Sequence, residues 1–197
     1  METILLQGAG ATAFLVGTLY LGSRVRRATK EEAEWLSRVS HALFWGGLVA
    51  PSLLAAVYPG LAGLDAVVGL SPLPSHGVVR GAGWLAFALG SALMVASMRA
   101  LKAVGSGLAA FKLTRQIVAV DLYQHVRNPM SLGFYLYCLG GSVVAGSSYL
   151  LLGTVFVIIP VHLFNLVYFE EHELKARHGD PYEAYRGRVP LLIPRVP

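Results

Sequence analysis

Two short clusters bordering long apolar runs carry residues that could do chemistry: Val126-Arg127-Asn128-Pro129-Met130-Ser131-Leu132-Gly133 and Glu170-Glu171-His172-Glu173. Proline fixes its own φ and biases the preceding residue toward an extended conformation. Pro129 can therefore open a helix as its first residue, or it can present the Asn128 side chain and carbonyl rigidly to a ligand. Spacing alone leaves both open. The carboxylates follow an apolar run and read as a helix C-terminus, where negative charge opposes the macrodipole and wants a cation. Arg127, Arg177 or a bound cationic ligand would supply it. Glu171, His125 and His172 are the candidate proton acceptors near these clusters.

One further polar pair lies inside an apolar run. His162 and Asn165 are three residues apart and share a helix face with Phe169. Polar groups in a membrane helix are costly and face the protein interior. The pair is either an interhelical hydrogen bond or part of a pocket wall, so His162 and Asn165 join Glu171 and His125 as candidate catalytic residues. A metal or haem site would need a second inward ligand, for which His41 is the one candidate; no metal is expected.

These residues need elements that bring them to one surface. Of 197 residues, 55% are hydrophobic and 14% charged, with mean hydropathy +0.58. A soluble domain carries about 25% charge. Long apolar runs alternate with short polar ones, which reads as an all-α, polytopic transmembrane bundle of about five spans. The expected spans are Ile4 to Gly22, His41 to Tyr58 with a kink at Pro51, Val78 to Met98, Leu132 to Ala145 and Tyr149 to Phe169. The fourth is short, so it is expected either to extend back into the Pro129 region or to tilt little. The last two form a hairpin turning at Ala145-Gly146-Ser147-Ser148, which returns the chain to the surface it left. Pro59 to Gly77 reads as a loop or short interfacial helix. Gly8, Gly10, Gly17 and Gly22 suit close helix packing. Residues 1–99 read as a three-span scaffold and 100–197 as the catalytic region of one integrated membrane domain.

The expected loop Ser23 to Arg38, the segment Arg99 to Arg127 and the tail from Glu170 hold 15 of the 16 Lys and Arg residues, leaving only Arg80 outside. By the positive-inside rule those three face the cytoplasm and the N-terminus faces out. The placement explains the net charge of +5 without invoking nucleic acid. Met1-Glu2 lacks a basic leader, so no cleavable signal is expected. A lone Cys138 in an apolar run allows no disulfide framework. No phosphate-binding loop, zinc pattern or GxGxxG after a strand is present, and a soluble Rossmann enzyme is excluded.

The first cluster, followed by Glu170-Glu171-x-x-Leu174-x-x-x-His178-Gly179-x-x-Tyr182-x-x-Tyr185-x-x-x-Val189-Pro190-x-x-Ile193-Pro194, resembles the isoprenylcysteine carboxyl methyltransferase family. That superfamily of integral-membrane methyltransferases also includes phospholipid N-methyltransferases. The resemblance covers roughly Ala100 to Arg195. It implies S-adenosyl-L-methionine as methyl donor, held in a cytoplasm-side pocket. Its candidate cofactor-binding residues are Arg115, Gln116, Ile117, Val118, Tyr123, Arg127, Asn128, Pro129, Met130, Ser131 and Glu170. It also implies a lipid or small apolar acceptor entering from the bilayer, and a bacterial inner-membrane location. Direct SN2 transfer would need positioning and water exclusion more than acid–base chemistry; an amine or hydroxyl acceptor would add a need for a base.

Four departures bear on that expectation. Asn128 replaces the commoner histidine. Ser131 stands where a tyrosine is usual, so one aromatic wall is missing or supplied elsewhere. Asp121 stands where glycine is typical. Leu166 occupies the place of a substrate-contacting arginine, which argues against a free-carboxylate prenylcysteine. A nicotinamide-dependent, sterol-reductase-like enzyme and a non-catalytic scaffold of the same fold are the alternatives.

Overall fold

A computed structural model describes residues 1–61, 63–74, 76–103 and 116–194. Among the described residues every regular element is a helix. Three are long and apolar enough to cross a membrane: α1 (Glu2–Val25), α5 (Gly77–Ala103) and α7 (Ser148–His178). Between them lie α2 (Lys30–Leu43), α3 (Ala50–Ala55), α4 (Gly63–Val68) and α6 (Pro129–Ala145), and α8 (Asp180–Arg188) follows α7. The fourth expected span is the shorter apolar helix α6, which begins at Pro129 as the sequence implied. The second is composite. Helix α2 runs through a π-helical turn, Phe44–Val49, into α3 and ends where Tyr58 leaves helical geometry at φ −144° and ψ 124°.

Two expected boundaries are corrected. The loop after the first span is helical from Lys30. Thr29 accepts from the Glu32 backbone and the Glu32 side chain accepts from the Thr29 backbone, which makes a capping box. The last span does not end at Phe169. The helix continues to His178, so Glu170 to Glu173 lie inside it and the macrodipole argument lapses; the last turn instead carries Lys175, Arg177 and His178.

Pro51 and Pro160 each follow a π-helical turn. Ala50 N–H donates to Trp45 O and Ile159 N–H to Thr154 O, five residues back rather than four. A proline cannot donate to the carbonyl four residues earlier, and the widened turn places this disruption within a continuous helix rather than ending it.

Helix α6 packs between α5 and α7, and α7 packs on α1 and α2. The α5–α6 contact is a glycine seam. A Cβ on Gly90 would meet Gly133 O at 2.6 Å, and one on Gly140 would meet Gly83 O at 2.7 Å. Of the glycines in α1, Gly10 faces the Gly47 backbone, Gly17 faces Leu43 and Gly22 faces the Tyr168 ring, while Gly8 has nothing within 4 Å. The hairpin turns at Gly146 in the left-handed region (φ 68°), with Ser147 capping the next helix. There the 2%-exposed Asp65 of α4 accepts from Ser147 Oγ at 3.2 Å, Ser148 N at 3.2 Å and Tyr149 N at 2.6 Å. The short helix expected somewhere in Pro59 to Gly77 therefore caps α7 from a distant part of the chain.

Candidate active site

Three segments converge at the end of the hairpin away from Asp65: the turn Asp121–Gln124 with the Arg127-Asn128-Pro129 run, the last turns of α7, and the tail beyond α8. Asn128 is the N-cap of α6 and buried Pro129 its first residue, so the run does open a helix. The tail then pairs with it. Arg127 N–H donates to Pro190 O at 2.8 Å and Asn128 N–H to Leu191 O at 3.0 Å. These two bonds satisfy backbone donors that the start of the helix cannot.

Glu171 is the centre of a clasp. Tyr182 donates its hydroxyl to Glu171 Oε1 at 3.0 Å, Arg186 Nε lies 2.8 Å from Oε2, and Arg127 approaches the same oxygen at 3.2 Å. The Arg127 contact is one of charge rather than hydrogen-bond geometry. Both carboxylate oxygens of Glu171 are engaged, so the geometry gives it the role of joining motif, helix and tail. Glu173 and Arg177 form a second buried pair at 2.8 Å, one turn on.

Glu170 differs. It is half-buried and makes no hydrogen bond or ion pair among the described residues. Its charge acts on the Tyr123 phenol. Burial first, then Glu170 and Tyr185, push that phenol above its ordinary value, against a smaller opposing effect of Ser97, so it stays protonated. The Tyr123 backbone is fixed from the tail, where the Tyr185 hydroxyl donates to Tyr123 O at 2.6 Å. Asn128 is likewise half-buried with no side-chain hydrogen bond among the described residues. A carboxylate unmatched among the described residues and a protonated phenol thus interact where helix and turn meet, with Asn128 at the start of α6.

The other expected site residues divide by environment. Val118 is buried against Ala100, Leu101 and Tyr123, and Met130 packs on that cluster. Ile117 packs on Tyr182, Tyr185 and Val189. Ser131 is half-buried, Gln116 and His125 are exposed, and Arg115 lies outside the described residues. An exposed His125 is not held against the cluster. On α7, Asn165 donates to Thr18 Oγ1 at 3.0 Å and Ser40 Oγ at 3.1 Å, a buried knot tying α7 to α1 and α2. His162 Nδ1 lies 3.0 Å from the Tyr135 hydroxyl. His41 Nδ1 bonds the Ser37 carbonyl at 2.8 Å. A cavity of about 490 Å³ opens beside the turn, between Ala96, Arg99, Ala100 and Ala103 of α5 and Asp121 and Leu122; neither Glu170 nor Asn128 lines it.

Sequence reasoning gave no role to Tyr135, Tyr182, Tyr185 or Arg186. The Tyr182-x-x-Tyr185 spacing was the available signal, since residues three apart share one helix face.

Fold and site together define a helical membrane protein with a carboxylate, unmatched among the described residues, at one end of a transmembrane hairpin. The profile of the phospholipid methyltransferase family matches residues 79–180, and the chain belongs to that family. Over 76 residues it is 35% identical to the methanethiol S-methyltransferase of Crocosphaera subtropica, covering 38% of this chain and 28% of that protein. It is 36% identical over 77 residues to methanethiol S-methyltransferase 2 of Bradyrhizobium diazoefficiens, covering 38% and 27%. The protein-S-isoprenylcysteine O-methyltransferase of Schizosaccharomyces pombe is 31% identical over 90 residues, covering 41% and 34%. The matched stretch thus spans about a third or less of each relative's length. No solved structure matches significantly.

Proposed function

We propose that the chain is an integral-membrane methyltransferase using S-adenosyl-L-methionine, with residues 100–197 as its catalytic region and residues 1–99 as scaffold. The observation that carries this reading is Glu170, a carboxylate unmatched among the described residues, beside a neighbour, Glu171, engaged by Tyr182, Arg186 and Arg127. A half-buried carboxylate without a cation is costly, and the donor brings two positive groups, an amino group and a sulfonium. The residues therefore fit the group: Glu170 would balance its charge, Asn128 would offer both donor and acceptor atoms, and Tyr123 a face and a phenol. The donor, when bound, supplies a methyl carbon already activated for displacement. The chain's task is to align the acceptor with it and exclude water. Ser131, where an aromatic wall is expected, lies one turn above Tyr135 on the same face of α6, so a tyrosine remains near that wall.

The acceptor class we infer is a small apolar or lipidic thiol. Two of the similar proteins are named for methanethiol, and Leu166 offers no charge to a free carboxylate. None of the relatives above is a nicotinamide enzyme. We place the Glu170 end of the hairpin in the cytoplasm and the N-terminus outside from the distribution of Lys and Arg, and infer a bacterial inner membrane from the family resemblance.

The test is isothermal titration of detergent-solubilised protein with S-adenosylhomocysteine, which lacks the sulfonium but keeps the amino group. The wild type should bind, and Glu170→Ala should bind at least tenfold more weakly. Absence of binding to the wild type would overturn the reading in favour of a non-catalytic scaffold.

A further inference from the structure

A second polar station lies deeper along the same helix pair. His162 is eight residues before Glu170 on α7, about 12 Å at the helical rise, and Tyr135 is seven residues past Asn128 on α6. The faces connect the two levels. On α7, His162, Leu166 and Glu170 follow one another at four-residue spacing, and on α6 so do Ser131 and Tyr135. The deeper level is lined by aromatic rings from two other elements. The His162 ring lies 4.9 Å from Phe44, 5.8 Å from Phe134 and 5.6 Å from Tyr135, centroid to centroid. Phe44 belongs to the π-helical turn, where a widened helix sets its ring at the hairpin.

A helix-to-helix hydrogen bond would account for one nitrogen of His162 and no more. Nδ1 meets the Tyr135 hydroxyl at 3.0 Å. Nε2 has no partner among the described residues, and the residue is half-buried rather than sealed. Asn165, three residues on, shows what a purely structural polar group looks like here, with its amide donating to hydroxyls of two other helices. An unpaired ring nitrogen at membrane depth costs free energy, and an acceptor carrying an X–H group would satisfy it.

We propose that Tyr135 and His162 form the acceptor-side dyad of the site, with His162 Nε2 binding the acceptor's X–H and taking its proton. This rests on the methyltransferase reading above. Nε2 is then the bare nitrogen of the ring, and Nδ1–H donates to the Tyr135 oxygen, which fixes tautomer and orientation. The acceptor's lone pair forms the bond to the methyl carbon, the carbon–sulfur bond breaks with its electron pair passing to sulfur, and the proton goes to Nε2. The aromatic walls suit a small apolar group bearing sulfur, which packs well at ring edges. Other ionisable groups near the dyad are Cys138 on α6, His41 on α2 and Glu170 on α7.

The test uses the full chain in detergent, with ethanethiol as acceptor probe, in the wild type, His162→Gln and Tyr135→Phe. His162→Gln should bind S-adenosylhomocysteine within about twofold of wild type yet lose at least about a hundredfold in kcat, the scale of a lost general base. Tyr135→Phe should lose less and keep its KM for the donor. The direct readout is the ring resonance of isotope-labelled histidine, assigned to His162 by its absence in His162→Gln. In wild type saturated with S-adenosylhomocysteine, adding ethanethiol should move that resonance, and S-adenosylhomocysteine alone should not. A resonance unmoved by the thiol, or a kcat for His162→Gln within threefold of wild type, overturns the dyad while the donor site stands. Failure of the wild type to bind S-adenosylhomocysteine removes both readings together.

Discussion

Adjacent glutamates with opposite surroundings should respond in opposite ways to the same substitution. Glu171 is 7% exposed at its side chain, and its partner Arg127 is 10% exposed. Glu171→Ala leaves that guanidinium buried without its carboxylate, a loss on the scale of 3–5 kcal/mol, or about 4. Arg186, 45% exposed, adds less than about 1 kcal/mol because solvent screens it. The buried Tyr182 hydroxyl loses its acceptor, at about 1 kcal/mol, and these effects overlap rather than sum. A total near 4 kcal/mol should lower Tm by on the order of 10 °C in a chain of this size. Glu170→Ala removes a carboxylate with no partner among the described residues, so its Tm should stay within a degree or two of wild type or rise. Its binding of S-adenosylhomocysteine should weaken by tenfold or more, since a hydrogen bond to a charged group contributes about 1.5–3 kcal/mol. Thermal unfolding in one detergent, beside titration well below both midpoints, reads the two effects separately. A Tm loss for Glu170→Ala equal to that of Glu171→Ala would refute the division of labour, because it would make Glu170 another structural carboxylate.

Three further outcomes follow from the geometry. Gly140→Val should lower Tm by several degrees, because its Cβ would stand within 2.8 Å of the Phe87 Cα and the α5–α6 seam would have to open. Asp65→Ala should cost about 1–3 kcal/mol in thermal unfolding, by removing the acceptor for two backbone N–H groups and the Ser147 hydroxyl, while leaving S-adenosylhomocysteine affinity within twofold. Burial, opposed by Arg127 and reinforced by Glu171, pushes the Tyr185 phenol up to about 12. The folded state then holds a proton that the unfolded chain releases near pH 10, so stability should fall as pH rises from about 10 to 12; absorbance titration showing Tyr185 ionising at pH 10 in folded protein would contradict this.

The hairpin and its turn were legible because long apolar runs and a Gly-Ser turn are local signals, and the α6 start was legible through Pro129. The continuation of α7 past Phe169 was not. Hydropathy falls at Glu170, but a helix whose polar turns are clasped by Arg127, Arg186 and Tyr182 has no reason to stop there. The start of α2 at Lys30 carried a readable sign, the Thr29 and Glu32 spacing, hidden by treating a charged stretch as loop. Asp65 gave none, since its partners lie some eighty positions away. Among site residues, the hairpin pattern already returned Glu170 to the surface of Asn128, and only the resemblance added Tyr123. What separates Glu170 from Glu171 is the set of side chains around each, and adjacent identical residues cannot show that in sequence.

The Asp65 cap has a mechanical consequence. It fastens the closed end of the hairpin, so α6 and α7 behave as the arms of a pair of tweezers whose pivot is pinned. Widening must grow with distance from the pivot, and it is largest at the Asn128–Glu170 mouth. With an arm of about 25 Å, a relative tilt of about 5° would part the tips by about 2 Å, while the rings near the middle would part by roughly half as much. Under the proposed function, the donor would load and unload at the mouth while the deeper aromatic level stays nearly shut, with the far end of the hairpin as fulcrum.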